Sequence, residues 1–243
     1  RTRGQPPPFK DLFMRHLSID LETYSENDIK LGISKYVECP NFKILLFAYA
    51  WDFGEVHVVD LACGEEVPTD VIDALTDPEV TKHAFNAAFE LHCLHRSGIL
   101  TPYRQWACTQ LHGLYLGYPA GLDKIGKALG LAQDKKKSAS GKALIRYFCL
   151  PCKPTKRNGG RTRNLPEHDP EKWETFKANN AQDVVTEMEV CRRLAAFPVP
   201  DALQAEWVTD QMINRNGVLL DMELVRGALQ IDAAEKECLM QEA

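Results

Sequence analysis

Two carboxylates stand two residues apart near the start of the chain, in His16-Leu17-Ser18-Ile19-Asp20-Leu21-Glu22-Thr23. The stretch patterns as a strand, so Asp20 and Glu22 point to one side and Leu21 to the other. Carboxylates held that close repel, and both stay ionised only with a cation between them. A hard divalent ion such as Mg²⁺ takes oxygen ligands and suits the pair. A lone Asp-x-Glu is more often a strand end running into a solvated turn, so metal chemistry requires further acids. Glu90, which shares a helix face with Asn86 at i and i+4, is one candidate. Asp183, which shares a face with Asn179, is another.

Hydrophobic periodicity supplies the elements that must position these acids. After the first strand, residues 25–35 read as a polar turn and a short helical piece. Strands are expected over 42–51 and 55–61 around the turn Asp52-Phe53-Gly54, then over 80–85 and 105–108. Helices are expected over 68–75, 87–97, 109–116, 122–129 and 138–148, with Asn86 as an N-cap and Gly98 closing the helix it opens. Residues 150–169 form a long loop rich in Pro, Gly, Asn and Arg. Asp169-Pro170 then starts a long helix with a core stripe of Trp173, Phe176, Val184, Met188, Cys191 and Ala195. Phe197-Pro-Val-Pro200 looks like a boundary. Beyond it come a helix over 201–214, a turn at Asn216-Gly217, a short strand over 218–220 and a helix capped by Asp221. Early strands, interleaved helices and a hairpin near the start suggest an α/β fold with a mixed sheet.

The 243 residues suffice for one large domain, or one domain and part of another. No stretch of about 18 apolar residues or basic-then-apolar leader occurs, so neither a membrane partner nor export is expected. The eight cysteines are scattered through apolar patterns, as reduced thiols in a cytosolic setting would be. Cys149-Leu-Pro-Cys152 lacks the second ligand pair of a zinc site. The net charge of −5 hides an asymmetry. Between Lys135 and Arg163 stand ten of the 29 basic residues and none of the 34 acids, +10 against −15 elsewhere. Such a run is a solvated loop or a phosphate-binding surface.

In order, Asp20-x-Glu22, Asn86-x-x-Phe89-Glu90 and Asp183 resemble the DEDD family of 3′→5′ exonucleases. More closely, the chain is similar to the proofreading domain of family A DNA polymerases of bacteriophages and prophages. The likeness runs from Met14 to Ala243. It includes Leu114-Tyr-Leu-Gly117, the basic segment from Cys152 to Asn164, and Pro170-Glu-Lys-Trp173. Met212-Ile-Asn-Arg-Asn-Gly-Val-Leu-Leu-Asp221 resembles the entry to the polymerase domain.

The resemblance implies a ribonuclease H-like mixed five-stranded sheet flanked by helices, followed by the truncated helical start of a polymerase domain. Residues 1–13 would be a flexible leader, 14–198 the exonuclease domain and 199–243 the polymerase fragment, which lacks a polymerase active site. Two divalent ions, Mg²⁺ or Mn²⁺, would be held by Asp20, Glu22, Glu90 and Asp183 and would clamp a scissile phosphate, releasing 5′-mononucleotides. Single-stranded DNA or a frayed primer 3′ end would meet Thr23, Asn86 and Phe89, with Lys153, Lys156, Arg161 and Arg163 on strand phosphates. Phe89 serves equally as core packing. The remainder of the polymerase chain would be a further partner, the chain a monomer, and its compartment the cytoplasm of the bacterium or infected host. Two departures stand out. Glu90 occupies a position where the wider family often has Asp. Asn179 stands where family A enzymes place a Tyr that orients the attacking water, and Asn is no general base. A catalytically weakened or non-catalytic DNA-binding domain, and an exoribonuclease of the same fold, therefore stay open beside the proofreading reading.

Overall fold

The computed structural model describes residues 15–131 and 135–242, side chains excepted over 135–140. The leader expected over 1–13 lies outside the described residues. Two compact units divide the chain, one ending at Val208 and one beginning at Thr209.

The first unit is built on a five-stranded sheet in the order β3-β2-β1-β4-β5. The strands are β1 (Arg15–Tyr24), β2 (Lys43–Trp51), β3 (Val56–Asp60), β4 (Val80–Ala84) and β5 (Trp106–Cys108). β1 pairs antiparallel with β2 and parallel with β4, so the sheet is mixed with β1 at its centre. The β2–β3 hairpin turns at Asp52 and Phe53, both at positive φ (49° and 58°). Asp52 ties the hairpin tip to β1: its Oδ1 accepts from the His16 N–H at 2.8 Å and its own N–H donates to the His16 carbonyl.

Alternation along β1 divides its side chains between two layers. Leu17, Ile19 and Leu21 join the larger core with Phe47 and Tyr49. That core takes Val71 and Leu75 from α2 (Thr69–Thr76), and Leu91 and Leu94 from α3 (Ala87–Arg96). His16, Ser18, Asp20 and Glu22 face the opposite layer, whose main element is α7 (Pro170–Leu194). The β2 partners of Ser18 and Asp20 are Ala50 and Ala48. These methyl side chains pack under Val184 and Met188 of α7 and let the helix approach the sheet closely.

α7 starts where the sequence predicts: Asp169 accepts from the Lys172 N–H and Pro170 occupies the first turn. Its first turns pack Trp173 and Phe176 against Phe148 of α6 (Lys135–Phe148). The Trp173 Nε1–H donates to the buried Asp60 at the end of β3, at 2.7 Å. Farther along, Val190 and Leu194 meet Ile125 of α5 (Leu122–Ala128). The buried stripe therefore differs from expectation. Ala195 is exposed and Cys191 half-buried, while Val190 and Leu194 are buried, as are the polar Asn180 and Glu187. The apolar-only reading failed because one strip of the helix covers polar side chains of β1.

The loop after α6 is built rather than shapeless. The Asn158 Oδ1 accepts from the Thr155 and Gly160 amides, and its Nδ2 donates to the Lys153 and Arg161 carbonyls. Two further corrections are local. Asn86 makes no side-chain cap on α3; only its carbonyl is used, accepting from the Phe89 N–H at 2.7 Å. Residues 218–220 form no strand and lie exposed, since no strand among the described residues pairs with them.

α8 (Asp201–Asn216) spans the division at Val208, and α9 (Met222–Glu242) in the second unit is capped by Asp221, which accepts from the Glu223 and Leu224 amides. Among the described residues no helix is long and apolar enough to cross a membrane.

The close seat of α7 on alanine predicts a consequence. Ala48→Leu should destabilise the chain by about 1–3 kcal/mol through overpacking. The exposed Leu100→Ala should stay within about 0.5 kcal/mol. Urea midpoints at unchanged m-value measure both.

Candidate metal-binding active site

β1 projects Asp20 and Glu22 toward α7, and just past them the register shifts between Glu22 and Thr23 before pairing resumes at Thr23 and Ile44. α7 contributes Asp183. The carboxylate oxygens of Asp20, Glu22 and Asp183 all lie within 4.8 Å of one another. Asn180 orients the set: its Nδ2 donates to Asp20 Oδ2 at 2.6 Å and to the Asp20 carbonyl at 3.3 Å. The Cys149 thiol approaches Glu22 Oε2 at 3.9 Å. Glu90, in the first turn of α3, is buried beside this trio, and its Oε2 has no hydrogen-bond partner.

The electrostatics suit a cation site. Burial, then the Asp183 charge, pushes the Asp20 carboxyl up to about 8. Burial and the charges of Asp20 and Asp183 hold Glu22 well above the usual carboxylate range. Glu90 is raised likewise by burial and then by Asp20. Burial, then Asp123, pushes Asp183 up to about 6. Asp20, Glu22 and Glu90 are each strained by a neighbouring acid, and a divalent ion reverses the sign of that interaction. An all-oxygen donor set of this kind fits Mg²⁺ or Mn²⁺.

The other residues singled out in the sequence divide. Asn179 neighbours the acids along α7, and its Nδ2 is buried without a partner. A Cβ on Gly141 of α6 would lie 3.8 Å from that nitrogen, so α6 closes over it. Thr23 is buried, its hydroxyl bonded to the Tyr36 hydroxyl at 2.7 Å. Phe89 is half-buried, its ring 6.0 Å from that of Tyr36. Asn86 is exposed at the start of α3. Lys153 and Lys156 are exposed on the loop. Arg161 is engaged within the loop, donating to Asn164 at 2.8 Å and to the Asn158 carbonyl. Arg163 stacks 3.8 Å over the ring of Tyr24, the last residue of β1. Sequence reasoning missed three residues. Asn180 and Cys149 had no signal beyond adjacency to Asn179 and to the basic loop. Glu187 had one, its i+4 spacing from Asp183.

Fold and site together define a ribonuclease H-like α/β protein with an acidic centre between its central strand and its longest helix. Among solved structures, Trypanosoma brucei RNase D in complex with RNA U12 superposes with a TM-score of 0.50 at 17% identity, over 82% of this chain and 64% of that one. The apo form of a nuclease matches with a TM-score of 0.49 at 16% identity, over 86% and 84%. No protein-family model matches the chain. The sequence is 48% identical over 95% of its length to a DNA polymerase of Bacillus phage SP02, and spans 36% of that polymerase. The chain is a homologue of that phage polymerase over about a third of the latter's length.

A pH dependence follows. Without metal, the folded site binds protons that the unfolded chain releases from the ordinary value of 3.8 upward, to about 8 for Asp20. Native proton excess means that stability falls as pH rises across this window. Asp20→Asn should therefore raise the melting temperature of the EDTA-treated chain at about pH 8, by about 2–4 °C for each kcal/mol relieved, and change it little near about pH 4. Equal shifts at both pH values in calorimetry would contradict this origin.

Proposed function

We propose that the chain is the 3′→5′ exonuclease part of a family A DNA polymerase, removing nucleotides from DNA 3′ ends. The observation that carries the reading is the Asp20–Glu22–Asp183 cluster with Glu90 beside it. Support comes from its setting in a homologue of a phage DNA polymerase with a ribonuclease H-like fold. On this reading residues 14–198 are the nuclease and 199–243 begin the polymerase part.

Asp20, Glu22 and Asp183 would hold Mg²⁺ or Mn²⁺, with Glu90 contributing through its free oxygen. Bound ions would lower the pKa of an attacking water and neutralise the charge that develops on the phosphate. The chain's own residues do the rest. Asn180 fixes one oxygen of Asp20, leaving the other for a ligand. Arg163, flat on Tyr24 at the end of β1, offers a guanidinium edge to a strand phosphate. Lys153 and Lys156 extend that positive surface without competing ion pairs among the described residues. Asn179 can hold water by hydrogen bonds but cannot take its proton, so the proton passes to a carboxylate or to solvent.

A non-catalytic DNA-binding module is the second reading, favoured by Asn179. End-labelled single-stranded DNA and RNA, incubated with Mg²⁺ or Mn²⁺, separate the two. Laddering of DNA from its 3′ end, reduced at least about 10²-fold by Asp20→Ala, is the expected outcome. Salt-sensitive binding with no cleavage would favour the module, and preferential cleavage of RNA would reassign the substrate. Lys153→Ala and Lys156→Ala should each weaken DNA binding and reduce the salt slope by about 1. Unchanged slopes would return the loop to a solvated role.

A further inference from the structure

The same face of α7 that carries Asp183 carries Glu187 and Cys191 one and two turns later. β4 brings His83 to them. His83 is the Cα partner of Ser18 on β1, so the two side chains share the sheet face that α7 covers. The side-chain donors of His83, Glu187 and Cys191 lie within 4.8 Å of one another. We propose that these three residues form a second cation site, distinct from the carboxylate centre and built for one soft divalent ion of the Zn²⁺ type.

Geometry supports the assignment. Zn–N of about 2.0–2.1 Å and Zn–S of about 2.3 Å at the tetrahedral angle imply an N···S edge of about 3.6 Å. His83 Nδ1 and Cys191 Sγ are 3.6 Å apart. Without an ion, that contact is a thiol–imidazole hydrogen bond.

The surroundings are those of a ligand set held in place. The His83 Nε2 lies 2.9 Å from His16 Nδ1, so its N–H can donate there and leave Nδ1 free for metal. The His16 backbone is in turn anchored by Asp52, whose Oδ1 accepts from its N–H, and the His16 ring lies 5.2 Å from that of Phe53. The Thr109 hydroxyl donates to Glu187 Oε1, while Glu187 Oε2 is buried and has no hydrogen-bond partner. Glu187 is 2% exposed and His83 6% exposed. Ser18, on the strand beside His83, is buried next to Glu187. A bound ion would satisfy the Glu187 oxygen, and a water in the fourth position could accept from Ser18.

Charge and ligand chemistry point the same way. A thiolate, a carboxylate and a neutral imidazole cancel the charge of a divalent ion, which makes the filled site neutral where desolvation is costly. Thiolate and imidazole select zinc-like ions, whereas the oxygen-only donors of Asp20, Glu22 and Asp183 suit magnesium or manganese. A metal here would pin α7 to β4 within two turns of Asp183. Its role is to hold that helix, and it touches no reacting atom.

The test uses the whole chain, stripped with EDTA and loaded with Co²⁺ or Zn²⁺ in excess Mg²⁺. One equivalent of Co²⁺ should give the intense visible bands of a tetrahedral site and a thiolate charge-transfer band. Cys191→Ser and His83→Gln should each abolish the charge-transfer band or the tetrahedral spectrum, while Asp183→Asn and Cys238→Ser keep both. Zn²⁺ should raise the melting temperature of the parent by several degrees and that of Cys191→Ser by far less. Circular dichroism and the metal-free melting curve verify that each variant folds. Cobalt bound without a thiolate band, a band that survives Cys191→Ser, or a zinc shift lost in Asp20→Asn instead of Cys191→Ser would each overturn the proposal.

Discussion

A helix lies on a row of polar side chains, and the site depends on that choice. Strand alternation gives the central strand one apolar edge, Leu17, Ile19 and Leu21, and one polar edge, His16, Ser18, Asp20 and Glu22. α7 covers the polar edge. Covering it strips water from carboxylates that already repel one another, which is why Asp20 and Glu22 sit so far above ordinary acids. The cost is offset around the row rather than within it. Val184 and Met188 pack on Ala48 and Ala50 on one flank, Trp173 and Phe176 on Phe148 at the helix start, and Val190 and Leu194 on Ile125 near its end. Apolar burial on those flanks holds the acids at a separation that solvent alone would not permit.

The row changes character along its length. At the Glu22 end the donors are oxygens, close enough for a hard cation. At the His16 end nitrogen and sulfur join one carboxylate, which is why the two clusters differ in the ions they suit. Glu187 stands between them, near enough to add to the strain on Asp20 while bonded to Thr109. Asn180 is the neutral element that lets Asp20 keep a fixed orientation without a second charge.

The basic loop complements this acidic seam. Asn158 bonds to both limbs of the loop, and the Cys152 N–H donates across to the Thr162 carbonyl. Arg161 is used internally, so Lys153 and Lys156 project while Arg163 reaches back over Tyr24. Arg163 thereby presents positive charge at the end of β1, with no ion pair to the acids of the site among the described residues.

The sequence by itself determined the five strands of the sheet, though it added a sixth over 218–220 that does not form, together with the start of α7 at Asp169-Pro170 and the candidate status of Asp20, Glu22, Glu90 and Asp183. Each of these rests on a local rule, a period of two or 3.6 residues or a cap within four residues. The mixed five-stranded character of the sheet also followed, once the resemblance to a known family was admitted, whereas its strand order came from the structure. Only the tertiary structure decided which polar residues share a face across distant elements. His83 meeting Cys191, Asn180 meeting Asp20 and Cys149 meeting Glu22 join residues more than 100 positions apart. The buried Asn180 and Glu187 on α7 contradicted an apolar stripe drawn from periodicity alone. Periodicity reports how side chains distribute around one element; it carries no record of what the facing element presents.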